Sequence, residues 1–93
     1  MTLMEFEEVF SSKPRMKILK LLNTLGQLNV SDIARRIKIN FATTDEHLRV
    51  LESEGILKQY LYGRVRLYSF NEASEKARVI RKLIQVWEQT KQL

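Results

Sequence analysis

The spacing of apolar residues along the chain predicts five helices, over residues 3–10, 14–25, 32–37, 41–53 and 71–91. Residues typical of helix N-caps precede four of them, namely Ser12, Ser31, Asn40 and Asn71. Gly26 and Gly55 are suited to end the second and fourth helices. In the second helix the apolar residues face inward and the basic residues, Arg15 among them, are expected to point outward.

Between the fourth and fifth helices the pattern changes to that of strands. Residues 56–62 and 64–70 are rich in aliphatic and aromatic residues, and Gly63 between them suits a tight turn. Tyr68 and Phe70 share a sheet face that covers the helices, which leaves Tyr62 as the tyrosine expected at a binding surface. The predicted fold class is mostly α with a small β-hairpin (α+β).

The composition narrows the classes of protein and of site. A chain of 93 residues holds one domain. It contains no cysteine, which excludes disulfides, thiolate metal sites and cysteine nucleophiles, and the single histidine, His47, makes a poor metal site alone. No nucleophile lies beside a partner base and no glycine-rich phosphate loop is present. We therefore expect no enzyme, no cofactor and no bound metal.

The charge and the order of elements indicate a partner. Sixteen Lys and Arg against eleven Asp and Glu give a net charge of +5, which favours phosphate backbones or anionic lipid. The first ten residues carry acids where a secretory signal needs basic residues, and no apolar run could span a bilayer, so we expect a cytoplasmic, intracellular protein without a membrane partner. A helix, a tight turn, a second capped helix and a basic hairpin form an arrangement that places one helix in a DNA major groove. Double-stranded DNA is the expected partner.

Residues 12–70 resemble a known family. The segment VSDIARRIKINFATTDEHLRVLESEGILKQYLYGRVRLYSF, with its run from His47-Leu48 to Gly55-Ile56-Leu57, is similar to the winged helix-turn-helix of ArsR-type and related archaeal transcription regulators. The resemblance implies a homodimeric regulator whose residues 1–71 form the DNA-binding domain. It implies a recognition helix over residues 41–53 in the major groove and a wing over residues 57–70 on the backbone or in the minor groove. The cysteine ligands of the family's metal sensors are absent here.

The resemblance also implies which positions of the recognition helix face the bases, namely Phe41, Ala42, Asp45, Glu46 and Arg49. The neutral residues able to bind phosphate or a base edge are Asn40, Thr43 and Thr44. Cations and one aromatic residue suited to the DNA backbone are Arg35, Arg36, Lys38, Lys58, Tyr62, Arg64 and Arg66. Acids on a recognition helix are unusual. Asp45 and Glu46 either accept hydrogen bonds from cytosine or hold Arg49 in position, or they interact with the helix dipole and point away from DNA.

The last predicted helix, within residues 72–93, carries an apolar stripe wider than one small domain can cover. A second copy of the chain is the expected partner, through a two-fold interface made by Phe6, Val9, Phe10, Ile80, Leu83, Ile84 and Trp87. Such a pair would hold two recognition helices about 34 Å apart, one turn of DNA. The alternatives are a helix folded back over its own core and a basic helix lying on a membrane.

Two alternatives to sequence-directed regulation follow from the same residues. The acidic recognition helix is compatible with a winged-helix module that binds a basic protein. If contacts with the DNA backbone supply most of the binding energy, a non-specific architectural DNA-binding protein is also compatible with these residues. Steeply salt-dependent binding to duplex DNA distinguishes the DNA-binding classes from the protein-binding class.

Overall fold

The structure, a computed structural model, describes residues 4–92, so residue 3 of the first predicted helix and residue 93 of the last segment lie outside it. The elements in these residues are α1 (Phe6–Phe10), α2 (Lys13–Leu25), β1 (Gln27–Asn29), α3 (Val30–Ile37), α4 (Phe41–Ser53), β2 (Leu57–Tyr62), β3 (Val65–Phe70) and α5 (Glu75–Thr90). The predicted fold class, mostly helical with an antiparallel hairpin, is confirmed.

A third strand joins the predicted hairpin. Strand β1 pairs antiparallel with β3, so the sheet has the order β1-β3-β2. The strand ends at Asn29, whose side chain accepts a hydrogen bond from the Asp32 amide at 2.8 Å and so caps α3. The expectation that Ser31 is this cap was wrong, because Val30 already lies in the helix and is buried.

One hydrophobic core unites the helices and the sheet. Its largest fully buried side chains are Ile18, Leu19, Leu22, Ile33, Leu48, Leu51, Ile56, Leu57 and Tyr68. Tyr68 and Phe70 face this core, as predicted. Since α4 contributes Leu48 and Leu51 and the hairpin contributes Tyr68, the same packing fixes α4 relative to the hairpin.

Arg15 lies inside the fold rather than on its surface. Its Nε donates to the Val9 carbonyl at 3.2 Å and its Nη2 to the Glu8 carbonyl at 2.7 Å, while Nη1 lies 3.1 Å from Nδ1 of His47 on α4. The prediction of an outward Arg15 was wrong because α1 packs over this side of α2. The last carbonyls of α1 have no helical partner, and the guanidinium satisfies two of them.

Helix α5 begins later than predicted. Ser74 caps it by accepting the Ala77 amide at 3.2 Å, while the Asn71 side chain instead donates to the Gly55 carbonyl at 3.3 Å. The helix has 16 residues and is therefore about 24 Å long. Ala77 and Ile80 on its inner side belong to the common core. The division of the chain into a DNA-binding part, residues 1–71, and a dimerisation helix within residues 72–93 stays a prediction.

Candidate nucleic-acid interface

Helix α4 turns one side into the core and the other side to solvent. Leu48 and Leu51 are fully buried, whereas Phe41 and Arg49 are exposed on the opposite side. Asn40 begins the helix because its side-chain oxygen accepts the Thr43 amide at 2.8 Å, as predicted. The outer side of the predicted recognition helix is therefore accessible to a partner.

Three cations precede α4, two at the end of α3 and one in the turn. Lys38 has φ 62°, a left-handed conformation that ends α3, and the next amide donates to the Ala34 carbonyl at 3.1 Å. Arg35, Arg36 and Lys38 are all exposed. Arg35 also pairs with Asp32 at 2.6 Å. All three side chains are open to solvent, and Arg36 and Lys38 line a surface groove together with residues of α2.

Asp45 joins the recognition helix to the wing. Its Oδ2 accepts a hydrogen bond from Nε of Arg49 at 3.0 Å, one turn further along α4, and its Oδ1 accepts one from Nη2 of Arg66 on β3 at 2.6 Å. Arg66 also donates to Oε1 of Gln59 at 3.4 Å, and the Tyr68 hydroxyl donates to the same oxygen at 3.3 Å. A continuous set of polar contacts thus runs from the buried Tyr68 to the exposed Arg49.

The two arginines determine the charge state of Asp45. Burial alone would raise its pKa, but hydrogen bonds and charge interactions with Arg49 and Arg66 outweigh it and lower the pKa below its ordinary value. The same ion pair raises the pKa of Arg49. Asp45 and Arg49 are therefore both charged at neutral pH. Of the alternatives for Asp45, the structure supports holding Arg49 in position.

A two-residue turn joins the paired strands β2 and β3 of the hairpin. Gly63 has φ 64° at the first central position, and Tyr62 pairs with Val65 across the turn. Tyr62 is 78% exposed and Arg64 at the tip is exposed. Alternation along the strands places Lys58 on the sheet face opposite Arg66. Lys58 lies 4.9 Å from the Tyr60 ring centre near the start of β2, away from the tip, and is therefore set apart from Tyr62 and Arg64.

Thr44 does not belong to the interface, contrary to the prediction. Its side chain is fully buried on the inner side of α4, and its Oγ1 has no hydrogen-bond partner among residues 4–92. The error arose because threonine is small and polar, which makes it compatible with either side of a helix. Ala42 is exposed and Thr43 is half-buried, so both can still reach a ligand at the start of α4.

A second surface is formed by α1 and α5. We call Phe6, Phe10, Val79, Leu83 and Trp87 the α1–α5 apolar face. Within it, Phe6 and Phe10 stack with ring centres 4.3 Å apart, and Trp87 is 66% exposed. A cavity of about 440 Å³ opens between the two helices beside Val79 and Leu83. The face lacks a covering element among the residues that the structure describes.

Two residues expected in a dimer interface are core residues instead. Val9 and Ile80 are only 4% and 5% exposed, because α1 and the inner side of α5 pack on α2. Ile84 packs partly against the same core. A side chain already buried in its own chain offers little area to a partner, so Val9 and Ile80 are removed from the predicted interface.

The sequence did not reveal the structural roles of two polar residues, Gln59 and Glu54. Oε1 of Gln59 accepts hydrogen bonds from Arg66 and Tyr68. Only the pairing of Gln59 with Tyr68 in the sheet could have indicated this role from the sequence. Glu54 is buried at the end of α4, where it accepts the Met4 amide at 2.8 Å and Nζ of Lys76 at 3.3 Å. No sequence signal distinguishes this glutamate from the exposed acids.

His47 lies at the inner edge of α4. Burial, followed by the charge of Arg15, lowers its pKa, while Glu46 opposes the shift. The imidazole is therefore neutral at pH 7, and Nδ1 accepts a hydrogen bond from Arg15. Residues 4–92 contain no cluster of three metal-ligating side chains, and the sequence has no cysteine, so this chain does not fit a thiolate metal site. Within the same residues, no helix has the length and apolarity needed to cross a bilayer.

Sequence comparisons place these observations among known proteins. The sequence model of the arsR family of bacterial regulatory proteins matches residues 12–59, just over half of the chain. A cadmium resistance transcriptional regulatory protein, the CadC homologue of Staphylococcus aureus, is 36% identical over 76 residues, 78% of this chain and 63% of that protein. YfiV of Bacillus subtilis, an HTH-type transcriptional regulator, is 40% identical over 55 residues. The chain spans 63% and 34% of the lengths of these two relatives.

Solved structures with the same fold cover more of the chain. The winged helix-turn-helix DNA-binding domain of Mb0332 from Mycobacterium bovis, described as homodimeric, superposes with a TM-score of 0.73 at 26% identity, over 88% of this chain and 73% of that domain. The transcriptional repressor PagR of Bacillus anthracis gives 0.69 at 28% identity, over 83% of this chain and 85% of PagR. The winged helix-turn-helix fold is thereby confirmed.

Proposed function

The chain belongs to the arsR family of bacterial regulatory proteins, and on that premise we propose that it is a homodimeric transcription regulator that binds double-stranded DNA. In this proposal α4 enters the major groove and the hairpin lies on the backbone or in the minor groove. The observation that carries the proposal is the contact between Asp45 and Arg66. It keeps the exposed side of α4 and the wing side by side, where one duplex can meet both.

The proposed DNA contacts come from three parts of the motif. The turn contributes Arg35, Arg36, Lys38 and Asn40, the start and outer side of α4 contribute Phe41, Ala42, Thr43 and Arg49, and the wing contributes Tyr62 and Arg64. Asn40 would donate through its Nδ2, because its Oδ1 already accepts the Thr43 amide. Asp45 and Arg66 are assigned to the support of these groups because their side chains are only 19% and 24% exposed.

We propose the α1–α5 apolar face as the dimer interface. Phe6, Leu83 and Trp87 are each more than half exposed, which is unfavourable for large apolar side chains unless a partner covers them. Phe10 and Ile84 would flank them as half-buried residues. The relative from Mycobacterium bovis is described as homodimeric. A two-fold pair would present two α4 helices to successive major grooves about 34 Å apart.

The test is a titration of fluorescently labelled duplex DNA by anisotropy at several salt concentrations. We expect tight binding at low salt that weakens steeply as salt rises, because each phosphate contact releases counterions. Arg64→Ala should reduce the slope of log affinity against log salt by roughly one per subunit. Lys58→Ala is the matched control, since it removes the same charge from the end of the same hairpin that lies away from the tip.

The outcomes discriminate between the candidate functions. No binding of duplex DNA at the lowest salt rejects the regulator and the architectural protein together. An equal change of slope in Arg64→Ala and Lys58→Ala removes Arg64 from the contacts. Strong binding without any sequence preference favours the architectural protein over the regulator.

A further inference from the structure

We infer that Asp45 determines a base preference of this protein by holding Arg49 in the orientation that reads guanine, and that it makes no DNA contact of its own. Asp45 is in this sense a positioning residue. The inference rests on the proposed function, because it concerns how the same helix selects its duplex.

The ion pair leaves the reading end of Arg49 available. Arg49 donates through Nε to Asp45 at 3.0 Å, and in residues 4–92 its two terminal nitrogens have no protein partner. Its side chain is 62% exposed, so these nitrogens point away from the core. Two parallel N–H groups match the O6 and N7 acceptors that guanine presents in the major groove. The side held by Asp45 is the one that such a contact does not need.

The Asp45 carboxylate is directed to protein partners and is shielded from DNA. One oxygen accepts from Arg49 and the other from Arg66 at 2.6 Å, and the Asp45 side chain is only 19% exposed. Each oxygen keeps a second lone pair, but the low exposure of the side chain leaves little room for a cytosine amino group to reach it. Glu46, the next residue, is exposed and forms no ion pair among the described residues. The two neighbouring acids therefore have different roles.

The support of Asp45 reaches into the core. Arg66 is held by Gln59 as well as by Asp45, and Gln59 in turn accepts the hydroxyl of the fully buried Tyr68. A long arginine side chain on a helix surface normally loses rotamer freedom on binding, which weakens the complex. Because the ion pair with Asp45 already restrains Arg49 in the free protein, Arg49 loses less conformational entropy when it binds DNA.

The experiment uses the full chain and a randomised 30-base-pair duplex pool. The unmodified protein, Asp45→Asn, Arg49→Gln and Glu46→Gln are each used to select duplexes from it. Glu46→Gln is the matched control, because it removes one negative charge from the adjacent position without breaking an ion pair. The selected sequence is then remade with 7-deazaguanine, which lacks N7, at the enriched guanine. Circular dichroism melting verifies that each variant is folded.

We expect the unmodified protein and Glu46→Gln to enrich a G·C pair in each half-site and to lose about tenfold in affinity on the 7-deazaguanine duplex. Asp45→Asn and Arg49→Gln should lose the enrichment and respond to 7-deazaguanine by less than about twofold. Asp45→Asn and Glu46→Gln should raise affinity for unselected duplex similarly, because each adds one positive charge to the net of +5.

Two results overturn the inference while leaving the proposed function in place. One is a 7-deazaguanine effect of equal size in Asp45→Asn and in the unmodified protein. The other is binding by the unmodified protein without an enriched G·C pair. Failure of the unmodified protein to bind any duplex overturns both. If Asp45→Asn unfolds, Arg66→Gln replaces it, since this change frees one Asp45 oxygen and should weaken the guanine preference. An unchanged preference in Arg66→Gln counts against the support described above.

Discussion

Replacing Trp87 by alanine should separate dimer formation from folding of the single chain. The side chain is 66% exposed, so of the roughly 200 Å² that a tryptophan offers, about 130 Å² is available to a partner. Covering this area at about 25 cal/mol per Å² contributes about 3 kcal/mol per protomer and about 6 kcal/mol per two-fold pair. Ordering of side chains and incomplete burial reduce the gain. We expect a loss of at least about 3 kcal/mol, or roughly 100-fold in the dimer dissociation constant.

Sedimentation equilibrium over a concentration series measures this constant directly. Trp87 is the only tryptophan in the chain, so a blue shift of its emission with rising concentration gives an independent signal in the unmodified protein. Tyr62→Ala is the control, because it removes an exposed aromatic side chain of the wing, far from the α1–α5 apolar face. An unchanged dimer constant in Trp87→Ala, or an equal loss in Tyr62→Ala, would refute the assignment of this face to the interface.

Three further changes test the energetics of the motif. Thr44→Val should raise the free energy of unfolding by up to about 1 kcal/mol in a urea titration and leave DNA affinity unchanged, because the buried hydroxyl has no hydrogen-bond partner; a clear loss of affinity would return Thr44 to the interface. Lys38→Gly should stabilise the fold by about 0.5–1 kcal/mol in the same assay, because glycine adopts φ 62° without the steric strain of a lysine. This gain exceeds the loss of stability caused by the greater conformational entropy of glycine in the unfolded chain. A lower stability of Lys38→Gly would contradict this. The lowered pKa of His47, caused by burial and by Arg15, means that the unfolded chain binds more protons once the pH falls below the ordinary histidine value of 6.5. The free energy of unfolding should therefore decrease from pH 7 to about pH 5. The decrease should be smaller in His47→Gln. An identical pH profile in both proteins would exclude His47 as the cause.

Local patterns predicted those elements whose caps and turns are contained within a few residues. Ser12, Asn40 and Gly63 have the roles that their residue types indicate. Asn71 is an equally good cap type but does not begin α5, because its side chain bonds to Gly55, sixteen positions away. Strand β1 was missed as a sheet member because three residues are too short to show alternation and their partner is β3. Such errors arise wherever tertiary contacts compete with local preference.

The candidate interface shows the same division between local and distant information. Helical spacing predicted that Phe41 and Arg49 share the outer side of α4, and both are exposed. Spacing could not show that Arg66 meets Asp45, because these residues are 21 positions apart and belong to different elements. Arg15 was assigned to the surface because the pattern treats arginine as polar, whereas a guanidinium with five donors can be buried where free carbonyls converge.

Asn29 has two roles that together determine which fragment of this protein can fold by itself. Its backbone pairs with Leu67 in the sheet, and its side chain caps α3 through Asp32. A peptide limited to the two helices of the DNA-binding motif would lack both the capping residue and the strand that orients it. The two helices are therefore not expected to keep this conformation when they are separated from the sheet. A graft of this specificity onto another scaffold would need to carry the sheet with it, from Gln27 to Phe70.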